Sequence, residues 1–175
     1  TKIDIIELQD ELDNLSIKKL QNELSELEHT ASKLQDELDI KEAKGIKATE
    51  IDYQSLINNS KEQQANLEEQ NRLLEEQITS VEEGSDKYYE IKNQINENEE
   101  AISQCKKEQA EWNVEMENLP LERLEEALDL LDAIDEKTKS EIDLKVAQGE
   151  ELTEEDYQKQ ISDNNNQISN LQQQK

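Results

Sequence analysis

Residues 38–70 read LDIKEAKGIKATEIDYQSLINNSKEQQANLEEQ, and residues 142–174 repeat that wording as IDLKVAQGEELTEEDYQKQISDNNNQISNLQQQ. Each residue of the first stretch thus has its equivalent 104 positions later. The same offset pairs residues 1–71 with 105–175 without a gap, and 24 of the 71 pairs are identical. A period near 100 residues is too long for the short solenoid families and suits a unit of several helices. The sequence therefore predicts tandem copies of one helical unit.

The composition favours narrow helix seams over a broad core. Only 32% of the residues are apolar, and 37% are charged. A coiled-coil seam needs about two apolar residues in seven, which this chain can supply. Disorder is the alternative for such a polar chain, but three Gly, one Pro and long runs of strong helix formers argue against it.

Apolar residues at alternating spacings of three and four mark the first helical seam, at Ile5, Leu8, Leu12 and Leu15. A new seam starts at Ile17 and continues at Leu20, Leu24, Leu27, Ala31, Leu34 and Leu38. The change from one seam to the next falls at residues 118–120 in the second copy. Asn118 is a good helix cap there, and Pro120 suits the first turn of a helix. We therefore expect a break or kink at residues 118–120, and a more nearly continuous connection at Ser16.

The helix ends carry repeated signals. Lys41 precedes Gly45, which can adopt the left-handed conformation that ends a helix. Thr49 and Asp52 then form a T-x-x-D capping pattern, which recurs at residues 153–156. Gly84, with Ser85 as the next cap, predicts a further turn. These signals predict helix-turn-helix connections.

The predicted repeats occupy residues 1–104 and 105–175. In the first repeat we expect helices at about 1–15, 16–44, 50–82 and 86–104 onward; in the second, truncated repeat, helices run to about 118 and then over 120–148 and 153–175. Helices of similar length joined by short turns pack antiparallel. The predicted fold is thus all-α and elongated, with tandem antiparallel coiled-coil three-helix repeats that are spectrin-like in plan.

The sequence contains no recognisable catalytic, cofactor-binding or metal-binding motif. The acidic groups at residues 82–86 and 97–100 lack the spacing of a calcium loop, so a solvated face is expected. His29 is the only histidine and falls between seam positions, and Cys105 lies on the seam as a small buried hydrophobe. Trp112 and Met116 have seam spacing and are expected in the core. Tyr53 and Tyr157 follow the caps and are expected to pack on the turns. We predict no enzyme activity and no cofactor.

Polar residues inside the seams are more informative. Gln64, Asn71 and Asn98 occupy positions where a coiled coil normally places apolar side chains. Buried amides weaken a seam but can fix its register and its partner. The alternative is a marginally stable coiled coil that tolerates polar residues in its seam without a specific role for them.

The formal charge of −26 argues against contact with nucleic acid or with an anionic membrane surface through this segment. No run of apolar residues is long enough to span a membrane. The chain starts at Thr1 and stops within its second copy, so we expect it to be part of a longer protein.

Four stretches resemble tail tape-measure proteins of phages and prophages of low-GC Gram-positive bacteria, and together they cover over half of the chain. They read IDYQSLINNSKEQQANLEEQNRLLEEQ (51–77), GSDKYYEIKNQINENEEAI (84–102), EQAEWNVEMENLPLERL (108–124) and AQGEELTEEDYQKQISDNNNQISNL (147–171). The transmembrane stretches and lysis domain of that family have no counterpart in this sequence.

The resemblance implies a virion structural protein that acts as a length ruler and scaffold in tail assembly. It implies a place in the tail interior, in the bacterial cytoplasm during assembly, and protein partners that bind through helical faces, namely tail tube or assembly proteins or further copies of the chain. Two alternatives stay open: a coiled-coil arm of a chromosome-maintenance-type ATPase, and a spectrin-like bacterial scaffold or surface protein.

Overall fold

A computed structural model of the chain describes residues 2–174, with side chains described for residues 8, 9 and 11–174. It contains four α-helices: α1 (Lys2–Ala43), α2 (Glu50–Ile78), α3 (Asp86–Ala147) and α4 (Glu154–Gln173). Residues 2–174 contain no strand. The predicted all-α fold of packed helices is confirmed.

The first compact unit, Thr1–Met116, packs α1, α2 and the first part of α3 together. One cluster joins Ile17 of α1 to Leu73 and Leu74 of α2 and to Ile91 of α3. A second cluster contains Leu24 of α1, Leu67 of α2, and Ala101, Ile102 and Cys105 of α3. Three narrow apolar stripes therefore meet along one axis, as the composition predicts.

The second compact unit, Glu117–Lys175, consists of the last part of α3 and α4. The two helices are antiparallel, because Asp132 pairs with Gln167 whereas Lys145, further along α3, pairs with the earlier residue Asp156. The compact units divide after Met116, whereas the predicted sequence repeats divide after residue 104. A sequence period gives the length of a unit but not its starting point, which depends on where the third helix leaves its bundle.

We predicted a break or kink at residues 118–120, and the break is wrong. Residues predicted as separate helices before and after Pro120 form one helix, α3, of 62 residues, and the predicted helices 1–15 and 16–44 likewise form α1, of 42 residues. Proline removes one hydrogen bond and crowds the preceding turn. In α3 the helix continues through this defect, and the adjacent side chain of Leu119 is only 5% exposed.

Continuity of α1 changes which residues form its seam. Leu15 and Ile17 lie two residues apart on one helix, so they point in nearly opposite directions. Ile17 is 6% exposed, whereas Leu8, Leu12 and Leu15 are 56–66% exposed. The first predicted seam is therefore wrong for these three leucines, and the side chain of its fourth member, Ile5, lies outside the described residues.

The predicted turns are confirmed. Gly45, Gly84 and Gly149 all have positive φ angles, of 69°, 85° and 77°. At the first turn the Ile46 N–H donates to the Lys41 carbonyl at 2.8 Å, and the Glu150 N–H donates to the Lys145 carbonyl at 3.0 Å in the second copy. These bonds satisfy carbonyl groups that a helix end leaves free. α2 ends at Ile78, earlier than the predicted residue 82.

Replacing Gly149 with Ala tests how much the fold depends on the left-handed turn. No neighbouring atom lies within 4 Å of the added Cβ, so backbone strain alone sets the cost. We expect Gly149→Ala to lower the free energy of unfolding by roughly 1–2 kcal/mol, and Gly149→Asn to lower it less, since Asn tolerates this conformation better. Urea unfolding followed by circular dichroism measures both. The neighbouring Gln148→Ala is the control, and equal stability of Gly149→Ala and Gln148→Ala would contradict the prediction.

Candidate functional site

The two copies of the turn carry the same polar clamp, formed by a lysine at the end of one helix and a capping pair at the start of the next. Lys41 donates to both carboxylate oxygens of Asp52, at 2.6 and 2.7 Å. The Thr49 N–H donates to the same carboxylate at 2.8 Å, and the Asp52 N–H donates to the Thr49 hydroxyl at 3.4 Å. This is the reciprocal capping box predicted from the sequence.

The second clamp repeats this geometry 104 residues later. Lys145 donates to Asp156 at 2.5 Å, and the Thr153 N–H donates to the same carboxylate at 2.9 Å. The Lys145 ammonium and the Thr153 donors lower the pKa of Asp156 from 3.8 to about 2. Lys41 is likewise the largest cause of a lowered pKa at Asp52. Each clamp therefore links a helix end to the next helix start through a carboxylate whose pKa is lowered by the lysine.

Polar pairs also connect α2 with α3 inside the first unit. Asn98 donates to Asn71 at 2.8 Å, and Gln109 donates to Gln64 at 3.2 Å. The three polar seam residues singled out from the sequence therefore all find amide partners across the α2–α3 seam. Their pairing fits one antiparallel register, because a one-turn slip would separate the amides.

Further polar contacts join the helices of the first unit. Asn59 donates to the Leu27 carbonyl at 3.1 Å, Gln77 donates to Asn14 at 3.0 Å, and the Ser60 hydroxyl donates to the Cys105 carbonyl at 3.3 Å. Residues 59 and 77 were not singled out from the sequence, because α2 faces two neighbours and buries a wider stripe than a two-stranded coil.

The hairpin of the second unit is polar along its seam. Thr138 and Asp163 are 2% and 9% exposed, and the Thr138 hydroxyl donates to the Asp163 carboxylate at 2.7 Å. Asp135 is 5% exposed; one carboxylate oxygen accepts from Lys139, and the other has no partner among the described residues. Asp135 and Thr138 are equivalent to Ala31 and Leu34, so aligning the two copies would have revealed both positions.

The structure separates the remaining residues considered as candidates for chemistry. His29 and the acidic residues at 82, 83, 86, 97, 99 and 100 are exposed. Cys105 is 5% exposed, and burial raises the pKa of its thiol, which disfavours the reactive thiolate. Trp112 and Met116 are half-buried, so the core positions predicted for them are only partly reached.

The two tyrosines that follow the caps differ in exposure. Tyr53 lines a hollow with Leu38, Gly45 and Ile46, as expected for packing on the turn. Tyr157, its equivalent, is 54% exposed. The described residues contain no group of three His, Cys, Asp or Glu side chains placed to hold a metal ion. Within residues 2–174, no helix combines the length and apolar character that a membrane crossing requires.

Comparisons with protein-family models, with curated proteins and with solved structures find no match. The features of the described residues that bear on function are the paired amides, the turn clamps and the helical faces.

Breaking one of the amide pairs tests whether it stabilises the α2–α3 seam. Asn71→Leu leaves the Asn98 amide without its partner, and we expect a loss of roughly 1–3 kcal/mol in the free energy of unfolding. The double variant Asn71→Leu/Asn98→Leu should be more stable than either single variant, because two leucines fill a seam position well. Urea unfolding of all four proteins gives the coupling energy, with the exposed Asn93→Leu as control. A double variant weaker than both singles would disprove the paired role.

The depressed pKa of Asp156 predicts a pH-dependent contribution to stability. Because the pKa is lower in the folded state, the clamp stabilises the fold above the unfolded value of 3.8 and loses this contribution as pH falls through about 2. We expect the difference in unfolding free energy between wild type and Asp156→Asn to be constant from pH 7 to about 5 and to shrink towards zero near pH 2.

Urea titrations at pH 7, 5, 3 and 2 measure that difference. Asp143→Asn changes the net charge equally at an exposed position of α3 and serves as control for the general effect of acid on this protein. A difference that stays constant down to pH 2, or that matches the Asp143→Asn series, would show that the clamp is not responsible.

Proposed function

We propose that this chain is a structural coiled-coil repeat segment of a phage tail tape-measure protein, which acts as a ruler and scaffold in tail assembly. The observation that carries the proposal is the tandem copying of one helical unit with an offset of 104 residues. A ruler needs a length that increases in equal steps, and copied helical units provide such steps. The four stretches that resemble tape-measure proteins lie within these units.

The helices give the proposal a length scale. As one continuous helix, the first unit, Thr1–Met116, would be about 174 Å long at 1.5 Å per residue. Its longest complete helix, α1, measures about 63 Å. The same sequence can thus measure two lengths that differ almost threefold.

The weak seams are compatible with a change between these lengths. The α2–α3 seam contains amide pairs, and the second hairpin buries Asp135, Thr138 and Asp163. Polar groups that lose water on folding contribute little net stability. We propose that the segment folds back on itself when free and straightens when it is confined with partner chains inside the tail tube. In this role it is not an enzyme and binds proteins through its helical faces.

A deletion of one repeat in the parent gene of a tailed phage tests the ruler. Joining Lys44 directly to Gly149 removes residues 45–148 and rebuilds the same turn, because Gly149 is equivalent to Gly45. If the segment lies extended as helix, the tail should shorten by about 156 Å, which is 1.5 Å for each of the 104 deleted residues. Electron microscopy of intact particles measures tail length.

The matched control keeps the length and weakens the packing. Ile57→Asp and Leu67→Asp alter side chains that are 2% and 3% exposed, so they destabilise the first unit without removing residues. Particles carrying these substitutions should keep tails of normal length. Normal tail length after the deletion, or shortened tails in the control, would refute the ruler.

A spectrin-like bacterial scaffold or surface protein is the second candidate. The antiparallel first unit and the passage of α3 out of it favour this candidate, since such scaffolds link helical bundles through shared helices. A coiled-coil ATPase arm is less favoured, because the turns at Gly45, Gly84 and Gly149 interrupt the helix. A signal peptide or surface anchor in the parent gene would favour the scaffold, and neighbouring tail genes would favour the ruler.

A further inference from the structure

Two identical pairs of residues differ sharply in exposure between the copies. Ile57 and Leu67 of α2 are 2% and 3% exposed, whereas their equivalents in α4, Ile161 and Leu171, are 60% and 46% exposed. The residue types and their spacing are the same, so local sequence does not explain the difference. The difference comes from a helix that covers α2 in the first unit.

In the first unit α3 contacts Ser60, Gln64 and Leu67 of α2. Ile57 lies on the same side of the helix, three residues before Ser60. Leu67 packs in one cluster with Ile102 and Cys105, and the Ser60 hydroxyl donates to the Cys105 carbonyl at 3.3 Å. Leu24 of α1 completes the cluster. The residues of α3 that belong to the first unit, 86–116, thus form a third helix that fills the groove between α1 and α2.

The second hairpin reproduces the α1–α2 arrangement without such a third helix among the described residues. Lys145 and Asp156 pair as Lys41 and Asp52 do. The two turn clamps therefore give the hairpins the same register, and their equivalent sides can be compared directly.

We define the open face of the second unit as Leu121 and Leu128 of α3 and Ile161, Ile168 and Leu171 of α4. Leu121 is 43% exposed, whereas its equivalent, Ile17, is 6% exposed in the cluster that contains Ile91. Leu128 is equivalent to Leu24, the α1 member of the second cluster. Ile168 stands where the first copy has Gln64, so the open face is more apolar than its covered counterpart.

We infer that the open face binds an amphipathic helix of the third-helix type, with the seam residues of the segment 86–116. Ile161, Ile168 and Leu171 have the spacings of seven and three that a coiled-coil seam presents to a partner helix. The first unit supplies the template for that helix: an apolar pair like Ile102 and Cys105 lies against Leu128 and Leu171, and the chain direction is antiparallel to α4. This inference is independent of the proposed role in tail assembly, because it rests on the repeat and on exposure alone.

A binding experiment with the full 175-residue chain tests the inference. The probe is a fluorescein-labelled synthetic peptide of residues 86–116, and fluorescence anisotropy reports binding. We expect one peptide per chain, and we expect Ile161→Asp or Leu171→Asp to weaken binding about tenfold or more, because a carboxylate would be buried in an apolar seam. Both side chains are exposed in the free hairpin, so these variants should fold, as circular dichroism can verify.

Two matched controls sharpen the test. Leu130→Asp changes an apolar side chain that is 64% exposed but lies outside the open face, since its equivalent, Glu26, does not belong to the third-helix clusters. It should leave binding unchanged. A peptide carrying Ile102→Asp should bind about tenfold more weakly or not at all.

Three results would overturn the inference. The first is absence of peptide binding, and the second is binding that survives Ile161→Asp and Leu171→Asp. The third is self-association of the chain without peptide that Ile161→Asp abolishes in sedimentation velocity. That result would assign the open face to a second copy of the chain, for example through the exposed Leu8, Leu12 and Leu15.

Discussion

The left-handed backbone at Gly45, Gly84 and Gly149 is the constraint on which every helix contact depends. Each glycine has a φ between 69° and 85°, a region in which a Cβ is costly. Without these turns the stripes of α1, α2 and α3 would have no antiparallel neighbour within the chain. Glycine permits the reversal, and the clamps that follow Gly45 and Gly149 link the two helices on either side of each turn.

Once the chain has reversed, narrow apolar stripes must supply most of the packing. The first unit does so with three helices, because the clusters that contain Ile17, Leu67 and Ile91 each combine residues from α1, α2 and α3. The second unit has two helices, and its seam contains Asp135, Thr138 and Asp163, which are nearly inaccessible to solvent. Hydrogen bonds satisfy most of these polar atoms but add little net stability. The second unit thus combines a weakly apolar seam with an apolar outer side.

This contrast connects the physical properties of the chain with the proposed roles. Equal helical units give regular steps of length, and polar seams keep the cost of separating helices low. An open apolar side gives a unit a surface on which another helix can pack. The proposed roles therefore rest on helices that pack against one another and on helix contacts that can be exchanged.

The sequence by itself determined the helical class, the repeat and the turns, because these depend on spacing and on residues such as Gly45, Thr49 and Asp52 that act locally. It also identified Asn71 and Asn98 as polar residues of a seam. It did not determine whether helices continue through Ser16 and Pro120, since continuity depends on packing on both sides of the weak point. Only the tertiary structure decided that Ile57 is buried while the identical Ile161 is exposed. Burial depends on whether another helix packs against the side chain, and the local sequence around these two residues does not determine that.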